Sequence, residues 1–188
     1  GEYSADYLST ALRKLGFEVG RLQTSTPPRV NGKTLNYEQM TRQDGDEPPV
    51  PFSHFTEKIT NRQLPCWITY TADIAHQAIR DNLDRTPLYT GRIKSIGPRY
   101  CPSIEDKIVR FPQRDRHQLF LEPEGLDTTE YYINGFATSM PEDVQIEALK
   151  TIPGLEEVVV NRPGYAVEYD MFPAGQLFPS LESRIIRH

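Results

Sequence analysis

The pattern of apolar and polar positions predicts a first helix near the start of the chain. Its apolar residues stand three or four positions apart, as one face of an amphipathic helix requires: Tyr7, Leu8, Ala11, Leu12 and Leu15. Gly16 follows directly and is typical of a helix end. We therefore expect a helix over residues 4–15 that packs its apolar face against the rest of the protein.

Two more helices are predicted further along. One follows Thr71 as its cap, because apolar residues then repeat with helical spacing at Ile74, Ala75, Ala78, Ile79 and Leu83. His76 lies beside this face, where a histidine is more often packed than catalytic. Another is expected from Ser139, as its cap, to about Ile152, where Pro153 and Gly154 end it.

Runs of β-branched and aromatic residues between turn signals predict strands at residues 17–22, 66–70, 117–122, 130–136, 157–160 and 165–169. The strands at 117–122 and 130–136 flank a Pro-Glu-Gly turn and are expected to form a hairpin. Residues 23–29 and 42–62 are rich in proline and turn residues and predict loops. Another element is expected over residues 181–186, which we interpret as cut by a fragment boundary. Short helices alternating with strands and a hairpin predict an α/β (mixed α+β) fold.

Composition restricts the class of protein. The chain has 188 residues, of which 37% are hydrophobic, enough for one core. No run approaches the roughly 20 apolar residues of a membrane span, and no signal peptide is recognisable at the start. Its two cysteines, Cys66 and Cys101, give neither a disulfide framework nor metal-ligand spacing, so we expect no metal and a reducing compartment.

Charge is unevenly distributed along the chain. The net charge is −5, which by itself argues weakly against nucleic acid. Residues 92–116, however, carry seven Lys or Arg against three Asp or Glu, whereas residues 122–170 carry eleven acids against two bases. A cationic face on an acidic body attracts phosphates whatever the total charge. A solvated surface without a ligand is the alternative.

The densest chemistry lies in residues 97–111. Ser103 followed three residues later by Asp106 is a capping-box pattern, so a short helix is predicted from about Ile104. Unpaired N–H groups at its start would face the loop that carries Cys101 and would attract an anion.

The same field, together with Arg99 and Lys107, would favour the thiolate form of Cys101. The alternative is a structural loop with a packed, inert cysteine. Thr24 and Thr26, in the loop predicted at residues 23–29, can bond the polar edge of a ligand, although such hydroxyls more often bond the local backbone.

This segment resembles the signature of the glucose-inhibited division protein A family, the flavin-dependent tRNA uridine 5-carboxymethylaminomethyl modification enzymes of bacteria and mitochondria. The matching residues are Gly97, Pro98, Arg99, Tyr100, Cys101, Pro102, Ser103, Ile104, Glu105, Asp106, Lys107, Ile108, Val109, Arg110 and Phe111. Further matches keep the same order along essentially the whole chain, at residues 20–29, 45–46, 65–66, 80–85, 120–125, 162–170 and 181–183.

The resemblance implies that the chain is the central part of a longer protein. Residues 1–29 would belong to a flavin-disulfide-reductase-like FAD-binding lobe, residues 30–116 to an inserted α/β lobe with the nicotinamide- and tRNA-facing motif, and residues 117–188 to the FAD-binding lobe again. The Rossmann fingerprint for FAD and a C-terminal helical region would lie outside it. No Gly-x-Gly-x-x-Gly pattern follows a strand here.

The resemblance also implies an activity. FAD is reduced by NADH, takes up a one-carbon unit from methylenetetrahydrofolate, and serves to install a carboxymethylaminomethyl-type group at C5 of the wobble uridine of tRNA. A GTPase partner, a homodimer, no membrane, and a cytoplasmic or, in a eukaryote, mitochondrial location are implied as well.

Within that activity, residues 97–111 match the stretch assigned to nicotinamide-dinucleotide binding, and Cys101 matches a catalytic cysteine. We expect Cys101 to act as nucleophile or acid/base, Arg99 and Lys107 as partners of phosphate or thiolate, and Tyr100 as a stacking surface. Arg110 is expected to contribute to binding alone.

Two positions depart from the family pattern. Ser25 stands where the family usually has glycine, and Ala5 where a serine is common, so neither is assigned a flavin contact. Two alternatives remain open. The chain is a non-catalytic tRNA- or partner-binding lobe, or a relative of the folate-dependent tRNA uracil methyltransferases.

Overall fold

The computed structural model of the chain describes residues 4–186. The helices there are α1 (Asp6–Lys14), α2 (Asp73–Arg80), α3 (Ile104–Arg110) and α4 (Glu142–Leu149). The strands are β1 (Gly20–Thr26), β2 (Arg29–Asn31), β3 (Thr41–Gln43), β4 (Cys66–Tyr70), β5 (Gln118–Pro123), β6 (Glu130–Asn134), β7 (Val160–Arg162) and β8 (Tyr165–Met171). The predicted mixed α/β fold is confirmed.

Six strands form the larger sheet, in the order β3-β4-β5-β6-β2-β7, and each neighbouring pair is antiparallel. The predicted hairpin is confirmed, because β5 pairs with β6 through partners such as Leu121 and Ile133. Since β4 pairs with β5, the sheet crosses the lobe boundary predicted at residue 116. The division into lobes stays a prediction, and its ends at residues 1–3 and 187–188 lie outside the described residues.

The hydrophobic core lies between this sheet and three helices. α2 packs against both α3 and α4. The buried apolar residues of these elements are Val30, Leu119, Leu121 and Ile133 on the sheet, and Ala75, Ile79, Ile104, Ile108, Val144, Ala148 and Leu149 on the helices. Burying one such large side chain contributes about 1.5–3 kcal/mol. The core therefore fixes the position of α3, which directly follows the Cys101 loop.

The other two strands form a separate two-stranded ribbon. β1 and β8 are antiparallel, with seven partner pairs from Gly20↔Met171 to Thr26↔Tyr165. The loop predicted over residues 23–29 is therefore wrong for residues 23–26, because β8 supplies their backbone hydrogen-bond partners. It is also wrong for Arg29, the first residue of β2. The strand also starts at Gly20, later than expected, and Pro27 ends it.

Helix α1 confirms the predicted helix but not its packing. Tyr7 is 93% exposed, Leu8 63% and Leu15 55%. The buried residue of α1 is instead Ser9, whose hydroxyl donates to Asp170 of β8. Helical periodicity predicts which residues share the apolar face of α1, but it does not predict what that face packs against. Within residues 4–186, the polar contact between Ser9 and Asp170 attaches the helix to the ribbon.

Two predicted helix caps are wrong, since each hydroxyl bonds another group. α4 begins at Glu142 after Pro141, and Ser139 instead bonds Glu105. α2 begins after Ala72, which makes no side-chain cap, while the Thr71 hydroxyl lies 2.7 Å from His76 Nε2. α4 also ends at Leu149, three residues earlier than expected.

The remaining differences concern element ends. β4 and β6 lie where strands are predicted, but β7 starts only at Val160 and β8 continues to Met171. Residues 42–43 belong to β3, whereas residues 44–62 contain neither helix nor strand, as expected of a loop. Residues 181–186 form no strand; Ser183 makes an isolated bridge with Leu177. Within the described range, every helix is too short or too polar to cross a membrane.

Candidate functional site

At the start of α3 only the Ser103 half of the predicted capping box forms, since the Asp106 carboxylate accepts from the Tyr89 hydroxyl at 3.1 Å. The N–H groups at this start are engaged within the protein. The Ser103 hydroxyl accepts from the Asp106 N–H at 3.2 Å, which confirms the cap. The Ile104 N–H donates to the Ala137 carbonyl at 2.7 Å. Ser103, Ile104 and Glu105 are all buried. The expectation that these N–H groups stand free toward the loop is therefore wrong.

The Cys101 thiol lies against the ribbon. Its Sγ atom is 3.8 Å from the Thr24 hydroxyl of β1, and the side chain is exposed. The alternative of a packed cysteine is wrong for Cys101. It describes Cys66 better, since that side chain is half-buried and burial, followed by the charge of Glu122, raises its pKa.

The loop fits closely against the ribbon at its start. A Cβ atom on Gly97 would lie 3.0 Å from the side-chain nitrogen Nε2 of Gln23, a tight contact that a small shift of this side chain would relieve. The neighbouring Ile96 carbonyl accepts from the Gln23 N–H at 3.2 Å, so the loop continues the ribbon on its free edge. This edge contact places Cys101 beside Thr24.

Lys107 interacts electrostatically with this thiol. Its ammonium donates to the Gly135 carbonyl at 2.9 Å. Burial lowers the pKa of Lys107, and the interaction with Cys101 opposes that change. Lys107 is thus held in place between the core and the thiol.

The other predicted charged and aromatic residues lie further out. The Arg99 guanidinium lies over the Tyr100 ring at 5.2 Å from its centroid, and Tyr100 is 86% exposed. Arg110 is 3.8 Å from Asp106 within α3. The motif therefore divides into a buried half, which includes Ile104 and Ile108, and an exposed half that faces solvent.

Glu105 has a role that the sequence interpretation missed. Its carboxylate accepts from both the N–H and the hydroxyl of Ser139, each at 2.9 Å. Burial raises the pKa of Glu105, and the hydrogen bonds from Ser139 oppose the shift. The carboxyl group thus ties α3 to the segment before α4. Its position between the core residues Ile104 and Ile108 was a signal that it points inward.

The ribbon presents an exposed face beside the thiol. Residues directly opposite in an antiparallel pair share one face, so Thr24 lies with Val167 and Thr26 with Tyr165. Both Val167 and Tyr165 are about half exposed. Thr26 also donates to the Pro27 carbonyl at 3.4 Å, the local backbone bond expected of such a residue. This face combines hydroxyl groups with flat apolar surface.

A cavity of about 1020 Å³ adjoins the same loop on the side of α3. We call it the basin; its lining includes Tyr70, Pro102, Lys107, Arg114, Arg116 and His117. Lys107 belongs to both sites, and Pro102 directly follows Cys101. The basin and the thiol are therefore neighbours.

His117 and His76 pack together beneath the basin, with ring centroids 5.3 Å apart. Thr71 joins them, since its hydroxyl lies 2.7 Å from His76 Nε2 and accepts from the His117 N–H at 2.8 Å. Burial lowers the pKa of His117 to about 4, helped by the charges of His76, Lys107 and Arg114. The packed role expected for His76 is confirmed, because its side chain is 1% exposed. Within residues 4–186 no group of three or more His, Cys, Asp or Glu is arranged to hold a metal.

Comparison with known proteins identifies the family of this chain. Residues 1–188 match the family model described as glucose inhibited division protein A. The chain belongs to this family. The resemblance found in residues 97–111 is thereby confirmed over the full sequence.

Two relatives with similar sequences are both named as tRNA-modifying enzymes. The tRNA uridine 5-carboxymethylaminomethyl modification enzyme MnmG of Thermodesulfovibrio yellowstonii is 55% identical over 182 residues, which are 97% of this chain and 29% of that protein. MnmG of Geobacter metallireducens is 54% identical over 188 residues, 100% of this chain and 30% of that protein.

Solved structures of this family give the same result for the fold. GidA of Aquifex aeolicus in its form I crystal has a TM-score of 0.86 and 52% identity, covering 95% of this chain and 31% of that chain. The form II crystal of the same protein has a TM-score of 0.85 and a sequence identity of 48%. The chain thus spans about 30% of the length of the curated relatives it matches.

Proposed function

We propose that this chain is the central part of a flavin-dependent enzyme that modifies the wobble uridine of tRNA, with Cys101 as its catalytic residue. The name of the relatives, tRNA uridine 5-carboxymethylaminomethyl modification enzyme, supports the substrate. The observation that carries the proposal is the exposed Cys101 thiol, 3.8 Å from the Thr24 hydroxyl.

The chemistry of the thiol suits a pyrimidine substrate. A thiolate can add to an electron-poor carbon of the uracil ring and so activate the neighbouring carbon for bond formation. Lys107 places a positive charge near the sulfur, and the Thr24 hydroxyl orients the sulfur. Tyr100 and Arg99 are exposed residues that precede the thiol in the same loop. There the Tyr100 ring can stack on a base and the Arg99 guanidinium can bind a phosphate of a nucleotide.

The exposed ribbon face supports one part of a flavin site. Thr24, Val167 and Tyr165 offer hydroxyl groups and flat apolar surface beside the thiol, which fits one side of a planar ring system. The Gly-rich turn that binds a dinucleotide's phosphates is absent from the sequence and would have to come from elsewhere in the protein. Bound FAD, reduced by NADH, would supply the carrier for the one-carbon unit of methylenetetrahydrofolate.

For NAD(H), the exposed side chains of residues 97–111 are better candidates than the helix start. The N–H groups of Ile104 and Asp106 are already bonded within the protein. Arg99, Tyr100 and Arg110 are exposed and can contact phosphate and ring groups. The GTPase partner, the homodimer and the cytoplasmic location belong to the proposal through the family resemblance alone.

A second candidate function is a lobe that binds tRNA without taking part in the chemistry. The cationic lining of the basin favours it. The folate-dependent uracil methyltransferase alternative draws no support from the relatives named above, which carry the name MnmG.

The deciding experiment is mass spectrometry of nucleosides from tRNA of cells whose only full-length copy of the gene carries Cys101→Ser. We expect the wobble modification to disappear while the protein stays folded. Cys66→Ser is the matched control, because Cys66 lies half-buried in β4, and should leave the modification in place. Modification near its normal level in Cys101→Ser would make the chain a binding lobe instead.

A further inference from the structure

The basin carries positive charge that the protein does not neutralise. Lys107, Arg114 and Arg116 line it, against a single acid, Asp115. Among the described residues, Arg114 and Arg116 form no ion pair with a carboxylate. Unpaired, exposed guanidinium groups are suited to binding phosphate oxygens.

Aromatic rings stand beside these charges. The Arg116 guanidinium lies over the Tyr70 ring at 4.3 Å from its centroid, and Phe111, also in the lining, is 45% exposed. Cations interleaved with exposed rings form the arrangement by which proteins bind single-stranded nucleic acid, with the cations on the backbone and the rings on the bases.

His117 adds a neutral polar group at the wall of the basin. Its Nε2 atom is buried and has no hydrogen-bond partner within residues 4–186. Because burial and the surrounding positive charges lower the pKa of His117 to about 4, the ring is uncharged at neutral pH. Because the Nε2 atom is buried, the ring serves as an uncharged part of the wall beneath the guanidinium groups and adds no positive charge of its own.

From these observations we propose that the basin binds the sugar-phosphate backbone of an RNA strand, next to the nucleotide that reaches Cys101. The inference rests on the proposed function and extends it to a site outside residues 97–111. The cations that stand beside aromatic rings along the lining favour a strand over a single small ligand. Pro102 and Lys107 connect the basin to the thiol, so a strand that lies in it leads toward Cys101.

The test compares tRNA binding by the full-length protein and by its Arg114→Gln/Arg116→Gln variant over a range of salt concentrations. Each phosphate contact contributes about 0.7 to the slope of log affinity against log salt for a single strand. We expect tRNA affinity to fall about tenfold or more at low salt, and the slope to decrease by about 1.4 for the two lost contacts. Arg114→Lys/Arg116→Lys, which keeps both charges, should restore most of the affinity.

Lys33→Gln/Lys150→Gln is the charge-matched control, since both lysines are exposed and neither lines the basin. It should leave the slope within about 0.3 of the wild-type value. An equal loss in both double variants, or an unchanged slope in the arginine variant, would overturn the proposal. So would a loss of NADH affinity in the arginine variant with tRNA affinity unchanged, since the basin would then bind the dinucleotide.

The outcome is separable from that of the proposed function. If Cys101→Ser leaves the wobble modification intact, the catalytic role fails while the binding measurement still decides what the basin does. If the wild-type protein binds no tRNA, both the proposed function and the basin proposal fail together.

Discussion

The six-stranded sheet and the two-stranded ribbon differ in how they treat apolar residues. In the sheet region, the large side chains of Leu121, Ile133 and Phe136 are fully buried against helices. On the ribbon and α1, Tyr7, Val167 and other large apolar side chains face solvent. The sheet region is therefore stabilised by its own core, whereas the ribbon offers surface for binding.

The candidate site lies where these two regions meet. Ile104 and Ile108 of α3 belong to the core, while Cys101, only three residues before Ile104, contacts Thr24 of the ribbon. The sheet region thus holds α3 and the preceding loop in place, and the ribbon supplies the hydroxyl group that contacts the thiol. If this division holds, substitutions in the core of the sheet region should lower the free energy of unfolding most, and those on exposed apolar residues of α1 least.

The largest effect is expected from Phe136→Ala in the core. Phe136 is fully buried, and removing a buried aromatic ring leaves a cavity that costs about 3–5 kcal/mol in free energy of unfolding. Denaturant unfolding followed by circular dichroism measures the change. A loss below about 1 kcal/mol would mean that the core closes around the gap and is less rigid than its packing indicates.

A smaller loss is expected from Gln145→Ala, which removes the buried hydrogen bonds between α4 and the turn that joins β7 of the sheet to β8 of the ribbon. Its amide nitrogen donates to the carbonyls of Met140 and Gly164, at 2.7 and 2.9 Å, and its oxygen accepts from the Gly164 N–H at 2.7 Å. Buried groups left without partners cost about 1–3 kcal/mol. The exposed Gln118 gives the control variant Gln118→Ala, which should change stability little; equal losses in the two variants would contradict the prediction.

Sequence reasoning succeeded where an element is specified locally. The strand β4 and the Ser103 cap are read from neighbouring residues, and both are confirmed. It failed for residues 23–26, because the partner strand β8 lies about 140 residues further along and the hydroxyl side chains suggested a loop. It failed for Ser139 for a similar reason, since Glu105 competes for the hydroxyl that would cap the helix.

The candidate site was predictable to a similar degree. The motif predicted Cys101 and Lys107, and the structure brings them near each other. Thr24 was a candidate ligand contact, but its place beside the thiol follows from ribbon geometry that no local pattern contains. His117 was visible only as the start of a strand, because its packing against His76 depends on how α2 lies on the sheet.

At acidic pH the sheet region should lose stability through the packed pair His76 and His117. The pKa of His117 is lowered to about 4 and that of His76 is lowered as well, so the unfolded chain binds protons that the folded chain does not. The stability contributed by these two neutral histidines should therefore be lost as the pH decreases from 6.5 toward 4, and His117→Gln should flatten that part of the curve. Below this range the carboxylates of lowered pKa, such as Asp143 and Asp170, dominate the pH dependence. Denaturant midpoints at several pH values measure this, and an unchanged pH dependence in His117→Gln would assign the effect to other groups.

The smallest effect is expected from Leu8→Ser on α1. Because Leu8 is 63% exposed, the substitution should change the free energy of unfolding of this chain by no more than about 0.5 kcal/mol. The same unfolding measurement applies. A loss above about 1.5 kcal/mol would show that the apolar face of α1 is covered after all, and the contrast between the two regions would weaken.

The ribbon also determines the order in which the site can form during folding. Arg21 and Asp170, which join its strands by an ion pair at 2.9 Å, are 149 residues apart along the chain. Closing so long a loop costs conformational entropy, so we expect β1 to pair with β8 only after the six-stranded sheet has brought the two strands close together. Thr24 and Cys101 are both synthesised before β8, and we expect the surroundings of the thiol to be complete only once the ribbon has formed.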